Sequence, residues 1–279
     1  MRWFWWTLFT LCGVCGVAHA DPPSRVHRGR NAVIVRPSAS VGWPNHGSLD
    51  NARHLDPSGT VRILPGRVLQ WGTDEIVGLL ERTAMRLRRP TQQPLTVGDL
   101  SARAGGVISR HRSHQSGRDA DIAFFARTES PHGDSRPAPP ADYVVFDRAG
   151  RSLDGTLRFD TARNWSLVET LLTDPRVRVE RLFIATTLRA LLLQHARATH
   201  ASSRVITLAA NTLVQPARVS PHDNHFHLRI ACPSGDRQCH TGVWLPPPPP
   251  RRRRVSPPHS RARPATTHGY APRRAATDR

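Results

Sequence analysis

The segment His225-Phe226-His227-Leu228-Arg229-Ile230 alternates polar and apolar residues without a break. Successive side chains of a β-strand point to opposite faces, so this pattern specifies a strand with two distinct sides. Phe226, Leu228 and Ile230 share the side that faces a core. His225 and His227 share the side that faces a polar site. A lone His-x-His is more often a pair of surface or hydrogen-bonded histidines than a site. A second run, His111-Arg112-Ser113-His114-Gln115-Ser116-Gly117-Arg118-Asp119-Ala120-Asp121, brings its own His and Asp and reverses that balance.

The 279 residues suffice for one sizeable domain with tails, and 38% hydrophobic content is adequate for one core once the tails are set aside. Between the two ends, helical and strand periodicities are mixed. Thr73 to Arg89 reads as a helix, with Ile76, Leu80, Ala84 and Leu87 at helical spacing and Pro90 as its stop. Residues 161–173 and 187–199 read as two more helices. Strands are expected at 61–64, 94–101, 121–125 and 177–185, with a hairpin through Tyr143–Phe146 and Arg151–Leu153 around Asp147-Arg148-Ala149-Gly150. Ser40 to Gly47 is dense in turn formers and reads as a structured loop. Hairpins outnumber strand–helix–strand crossovers. The expected fold is therefore α+β, a mainly antiparallel sheet with flanking helices in a single domain over residues 38–245.

Residues 1–20 read as a secretory signal peptide: Arg2 at the start, an apolar stretch from Trp3 to Val17, and Ala18-His19-Ala20 as a small-x-small cleavage pattern. The apolar stretch is short for a membrane span, and none is expected after cleavage. An anchored form, through Cys15 or an uncleaved segment, is the alternative. Residues 21–37 read as a flexible lead-in. Cys12 and Cys15 leave with the signal, and in an exported protein the remaining pair, Cys232 and Cys239, is most simply a disulfide closing a small loop. The chain has 40 basic residues, every one an arginine, and a net charge of +19. Much of that excess sits in the Pro- and Arg-rich tail, residues 246–279, which has almost no apolar residues to bury and is expected to be disordered. Export and a charge concentrated in a tail argue against a nucleic-acid partner. They favour contact between the tail and anionic envelope polymers.

A catalytic zinc usually takes three protein ligands from His and carboxylates and leaves a fourth position for water, whose pKa it lowers from near 16 to roughly 7. The candidate ligands are His114, Asp121 and His227. Gly117 lets the backbone between the first two turn. His225, on the face of His227 and two residues away, is the best-placed group to move a proton. His222 and His111 are candidates to line the site, hydrogen-bond the water or hold a substrate carboxylate. Asp119 is a candidate to orient a ligand from behind.

Ser113-His114-Gln115-Ser116-Gly117-Arg118-Asp119-Ala120-Asp121-Ile122, with His225-Phe226-His227-Leu228-Arg229 and Cys232-Pro233, resembles the penicillin-insensitive murein endopeptidases. These are exported zinc peptidases related to D-alanyl-D-alanine dipeptidases and to the Hedgehog signalling domain. The resemblance extends to Ser40-Val41-Gly42 with Pro44 and Gly47. It implies His114, Asp121 and His227 as zinc ligands, His225 as the active-site histidine, and His222 and His111 as further histidines near the site. It also implies a Cys232–Cys239 disulfide and a periplasmic enzyme that cleaves D-alanyl-meso-diaminopimelyl cross-links of peptidoglycan, untouched by serine-type inhibitors such as penicillin. Two features depart from the family. The additional cysteines of some members are absent, and Asp147 has no histidine nearby, which puts a second zinc and the dimer built on it in doubt. A D-Ala-D-Ala dipeptidase or carboxypeptidase with the same site, and a zinc-containing wall-binding protein without hydrolysis, are the alternative readings.

Overall fold

A computed structural model describes residues 36–91, 93–129, 135–217 and 220–245. The expected signal at 1–20, all but the end of the lead-in, and the tail at 246–279 lie outside these residues. The chain divides into two units, Met1–Trp244 and Leu245–Arg279, and of the second only Leu245 is described. In chain order the elements are β1 (Ala39–Trp43), β2 (His46–Asp50), β3 (Arg53–His54), β4 (Val61–Ile63), β5 (Trp71–Gly72), α1 (Asp74–Thr91), β6 (Leu95–Val97), β7 (Asp119–Ala123), β8 (Ala126–Thr128), β9 (Leu157–Phe159), α2 (Thr161–Leu172), β10 (Val179–Phe183), α3 (Thr186–Ala198), α4 (Ser203–Thr212), β11 (Leu213–Val214) and β12 (His225–Ile230). No helix among the described residues is long and apolar enough to cross a membrane.

The alternating segment forms β12, near the middle of a six-stranded sheet ordered β11-β10-β12-β7-β6-β4. It runs antiparallel to β10 on one side and to β7 on the other. β6 is also antiparallel to β7, while the outer pairs β4–β6 and β10–β11 are parallel. The fold is α+β with a mainly antiparallel sheet. Phe226, Leu228 and Ile230 are fully buried on one face, beside Ala120 and Ile122 of β7. They join Ile76 and Leu80 of α1, Leu167 and Leu171 of α2, and Leu188 and Leu192 of α3 in one core. Each such aliphatic or aromatic side chain contributes about 1.5–3 kcal/mol on burial.

The helices form for local reasons that the core then reinforces. α1 has Asp74 and Glu75 in its first turn and Arg88 and Arg89 in its last, each sign facing the favourable end of the dipole. It overruns the expected stop at Pro90 by one residue, within the ordinary fraying of a last turn. Asp160 caps α2, its Oδ1 accepting from Arg163 N over 3.0 Å. α4 was not expected from the sequence. Its Ser202-Ser203 start and β-branched Val205, Ile206 and Thr207 favour helix weakly, and packing against α2, α3 and β10 overrides that preference.

Two further expectations need correction. The hairpin over Tyr143–Leu153 is reduced to its turn. Gly150 N donates to Asp147 O and Asp147 N to Arg151 O, but the flanks meet only through a Phe146–Ser152 bridge. The Ser152 hydroxyl accepts from Leu157 N over 2.8 Å and makes a second turn, so the returning chain becomes β9 and pairs with β8. Ser40 to Gly47, expected as a loop, belongs to the β1–β2 hairpin, in which Gly42 opposes Gly47. A Cβ on Gly47 would stand 2.3 Å from Val41 O and 2.6 Å from Trp43 O, so the closeness of the strands requires glycine there. Cys232 and Cys239 are joined in a disulfide. The segment they close is stitched to β1 by Gly42 N to Gln238 O and His240 N to Gly42 O.

Candidate metal centre

The register of β12 against β7 assembles the site. His227 lies opposite Asp121, Arg229 opposite Asp119, and His225 opposite Ala123. A slip of one residue would send both carboxylates into the core, so the hydrophobic alternation that sets the register also sets the site. His114 reaches the same point from the loop before β7. Its backbone is left-handed, with φ +67, a conformation uncommon for a residue with a side chain. The turn is held by its own N–H, which donates to Asp119 Oδ2 over 3.0 Å. Gly117, at φ +72, follows closely, and a Cβ there would meet Leu49 at 2.6 Å.

His114, Asp121 and His227 converge. His114 Nε2 is 3.3 Å from Asp121 Oδ1, and His227 Nδ1 is 3.4 Å from the same oxygen. The ring nitrogens have assigned roles. His114 Nδ1 donates to Leu100 O over 2.6 Å, which leaves Nε2 facing Asp121. His227 Nε2 donates to Asp119 Oδ1 over 3.1 Å, which leaves its Nδ1 lone pair facing inward. His225 lies next to them, with Nε2 3.5 Å from Asp121 Oδ1 and Nδ1 donating to Asn224 Oδ1 over 2.6 Å. His111 enters from the other side, with Nδ1 3.7 Å from Asp121 Oδ2 and Nε2 3.2 Å from Asp99 Oδ2. His222 stands farther out. Its ring is 4.9 Å from that of His225 and 5.5 Å from that of His227, and its Nδ1 donates to Ser220 O.

The charges follow from burial and these contacts. Burial opposes the charge of Asp121, yet the imidazoles of His114 and His225 hold its carboxyl well below the usual range. Burial also opposes the charge of Asp119, and Arg229, with Nε 2.7 Å from Oδ1, more than offsets it. Desolvation lowers the His114 value, but Asp121 raises it to about 9. Burial lowers His222 to about 4, helped by His225 and His227. Asp119 therefore has a guanidinium as its counter-ion, whereas Asp121 faces imidazoles alone. A buried carboxylate is either paired with such groups or coordinated to a metal ion.

The donor set fits a metal ion. His114 Nε2 and Asp121 Oδ1 are buried and make no hydrogen bond, although they face each other. Buried polar atoms nearly always have a partner, and one cation satisfies both. The ligand atoms of His111, His114 and Asp121 lie within 4.8 Å of one another, so His111 is a second candidate for the third position beside His227. Two imidazole nitrogens and one carboxylate oxygen make a donor set that zinc and other imidazole-binding transition metals accept.

Three residues escaped the sequence reading. Arg229 continues the alternation of His225 and His227, and that signal was available. Tyr143 stacks on His225 with centroids 4.6 Å apart, and its hydroxyl is buried without a partner. Arg67 lies over the other part of this cluster, 5.0 Å from the Tyr143 ring, and pairs with Asp99. Nothing local in sequence links these last two to β12, which begins far along the chain from both. Arg118, fully buried, is structural: it donates to Ser40 Oγ, Ile230 O and His240 O.

Comparison with known proteins adds an independent finding. Residues 40–249 match the family described as penicillin-insensitive murein endopeptidase. The chain is also similar to a Haemophilus influenzae protein named "Penicillin-insensitive murein endopeptidase", at 25% identity over 217 residues, which cover 75% of this chain and 69% of that protein.

Proposed function

Given that the chain belongs to the penicillin-insensitive murein endopeptidase family, we propose that it is a zinc-dependent periplasmic peptidase that hydrolyses D-alanyl-meso-diaminopimelyl cross-links in peptidoglycan. The observation that carries the metal part of this reading is the pair of buried, unpartnered atoms His114 Nε2 and Asp121 Oδ1. With His227 Nδ1 they would hold the ion, and His111 is the alternative third ligand. When bound, a zinc ion supplies Lewis acidity toward the scissile carbonyl and toward water.

The remaining steps fall to this chain's own side chains. His225 commits Nδ1 to Asn224 and turns Nε2 into the site, on the side of Asp121. That nitrogen accepts a proton from the attacking water as the water oxygen bonds to the D-alanyl carbonyl carbon. It returns the proton to the amide nitrogen as the C–N bond breaks, so the leaving amine departs neutral. Tyr143 backs the His225 ring and limits its rotation. His222, kept neutral by burial, is placed to hydrogen-bond the substrate beside His225. Asp119 holds His227 in one tautomer.

The test uses purified cross-linked muropeptide dimers, with monomer formation followed by mass spectrometry and bound metal measured on the same samples. His114→Ala and His227→Ala are expected to lose both the metal and the cleavage. Full cleavage by metal-free His114→Ala protein would sink the proposal. Release of a terminal D-alanine with dimers left intact would reassign the site to a carboxypeptidase.

A further inference from the structure

An open groove of about 700 Å³ lies between the β1–β2 hairpin, the Gly106-Val107 turn and the disulfide segment. Its walls carry Trp43, His46, Val107, Gln115, Arg237 and His240. Trp43 stacks on His240 with ring centroids 4.2 Å apart, and His46 stacks on Trp244 at 4.3 Å. These two indole–imidazole pairs take no part in the candidate metal centre. They are held in place by hydrogen bonds within the backbone and from the Asn45 side chain. Gly42 N donates to Gln238 O and His240 N to Gly42 O. Asn45 Nδ2 donates to Trp244 O over 2.9 Å and Trp244 N to Asn45 Oδ1 over 2.8 Å. A platform fixed in this way loses little freedom when it binds.

Flat ring faces flanked by amide, imidazole and guanidinium donors match the chemistry of a pyranose. Its C–H face lies on an aromatic ring, while its hydroxyl and N-acetyl groups meet the polar rim. The lining includes Arg237 and no carboxylate, so a neutral or anionic occupant is favoured over a cationic one such as an arginine-rich segment. The chain itself links the groove wall to the metal centre. Gln115, in that wall, directly follows His114, donates from its N–H to Pro44 O, and accepts from Gly106 N.

We propose that this groove binds the glycan backbone of peptidoglycan, with N-acetylhexosamine units seated on the Trp43–His240 pair and against the His46 ring that Trp244 backs. The proposal rests on the reading of peptidoglycan as the substrate, but its test involves no cleavage. Glycan strands stripped of their peptides are titrated into the full chain and followed by calorimetry and indole fluorescence.

Saturable binding with a fluorescence change is expected, weakened roughly ten-fold by Trp43→Ala. Val107→Glu, at a position 85% exposed, puts bulk and negative charge into the groove without touching the core, and the same loss is expected. Met85→Glu, on α1 and 60% exposed, is the control and keeps the parent affinity. No binding by the parent protein, or equal binding by the parent, Trp43→Ala and Val107→Glu, overturns the proposal whether or not the peptidase reading holds. Self-association abolished by Val107→Glu would assign the groove to a second copy. Glycan binding that appears only after removal of residues 246–279 would assign it to the chain's own tail. Either outcome also overturns the proposal.

Discussion

Oδ1 of Asp119 lies 3.1 Å from Nε2 of His227 and accepts a hydrogen bond from it. The other ring nitrogen of His227 is thereby turned toward Asp121 at 3.4 Å. The same carboxylate takes Arg229 Nε at 2.7 Å and the backbone N–H of His114 at 3.0 Å. One buried side chain thus fixes the tautomer of one candidate ligand and the backbone turn of another.

Asp119→Asn removes the charge that Arg229 needs and weakens the hold on both histidines. Metal affinity is expected to fall about 10- to 100-fold, read by competition with a chelator. The uncompensated buried guanidinium should also cost about 3–5 kcal/mol of stability, read by urea unfolding. Parent-like affinity in a folded Asp119→Asn protein would show that the carboxylate does not orient the ligands.

His111 and His227 compete for the third position around the ion. His227 has its outer nitrogen anchored on Asp119 and its inner one free, while His111 is anchored on Asp99 and stands 3.7 Å from Asp121. His227→Ala is expected to abolish stoichiometric metal, and His111→Ala to retain it with affinity reduced about ten-fold or less. Metal analysis of the dialysed variants separates the two, and the reverse pattern would make His111 the ligand.

Gly98 lies under Tyr143. A Cβ there would stand 1.6 Å from the Tyr143 hydroxyl and 2.7 Å from its Cζ. Gly98→Ala must therefore push the phenol away from His225, at a cost of about 1–3 kcal/mol. Tyr143→Ala empties that space, so the double variant is expected to be more stable than the sum of the two single changes implies, by more than about 0.5 kcal/mol. Thermal unfolding of the four proteins gives the coupling, and simple additivity would contradict the contact.

Asp174 joins the end of α2 to α1 through Arg82, whose Nε and Nη2 donate over 2.9 and 3.0 Å. Burial opposes its charge, but Arg82 and the N–H groups of Arg176 and Val177 outweigh that and lower its value. A carboxyl depressed on folding contributes stability above the unfolded value of about 4. The contribution is lost as the pH falls through the lower folded value. The stability gap between the parent and Asp174→Asn is therefore expected to be constant above about pH 5 and to shrink in acid. A gap that stays constant down to pH 2 would contradict this ion pair's role.

Sequence alone determined those features in which a local pattern has a single structural meaning. Alternation fixed β12 and its two faces, helical spacing fixed α1, α2 and α3, and one remaining cysteine pair left one bridge to make. The motif residues His114, Asp121, His225 and His227 were legible because each sits at a fixed offset within a short run. Only the tertiary structure decided what depends on residues distant in the chain. The register of β12 on β7 placed His227 opposite Asp121. Packing turned a weakly helical segment into α4, and a serine-anchored turn diverted an expected hairpin into β9. Tyr143 and Arg67 came to the site, and Trp43 came to His240 at the groove, through contacts that no spacing encodes. The physical reason is that strand and helix periodicities act over a few residues, whereas the partners of a buried charge are chosen by whichever side chains the completed sheet brings within reach.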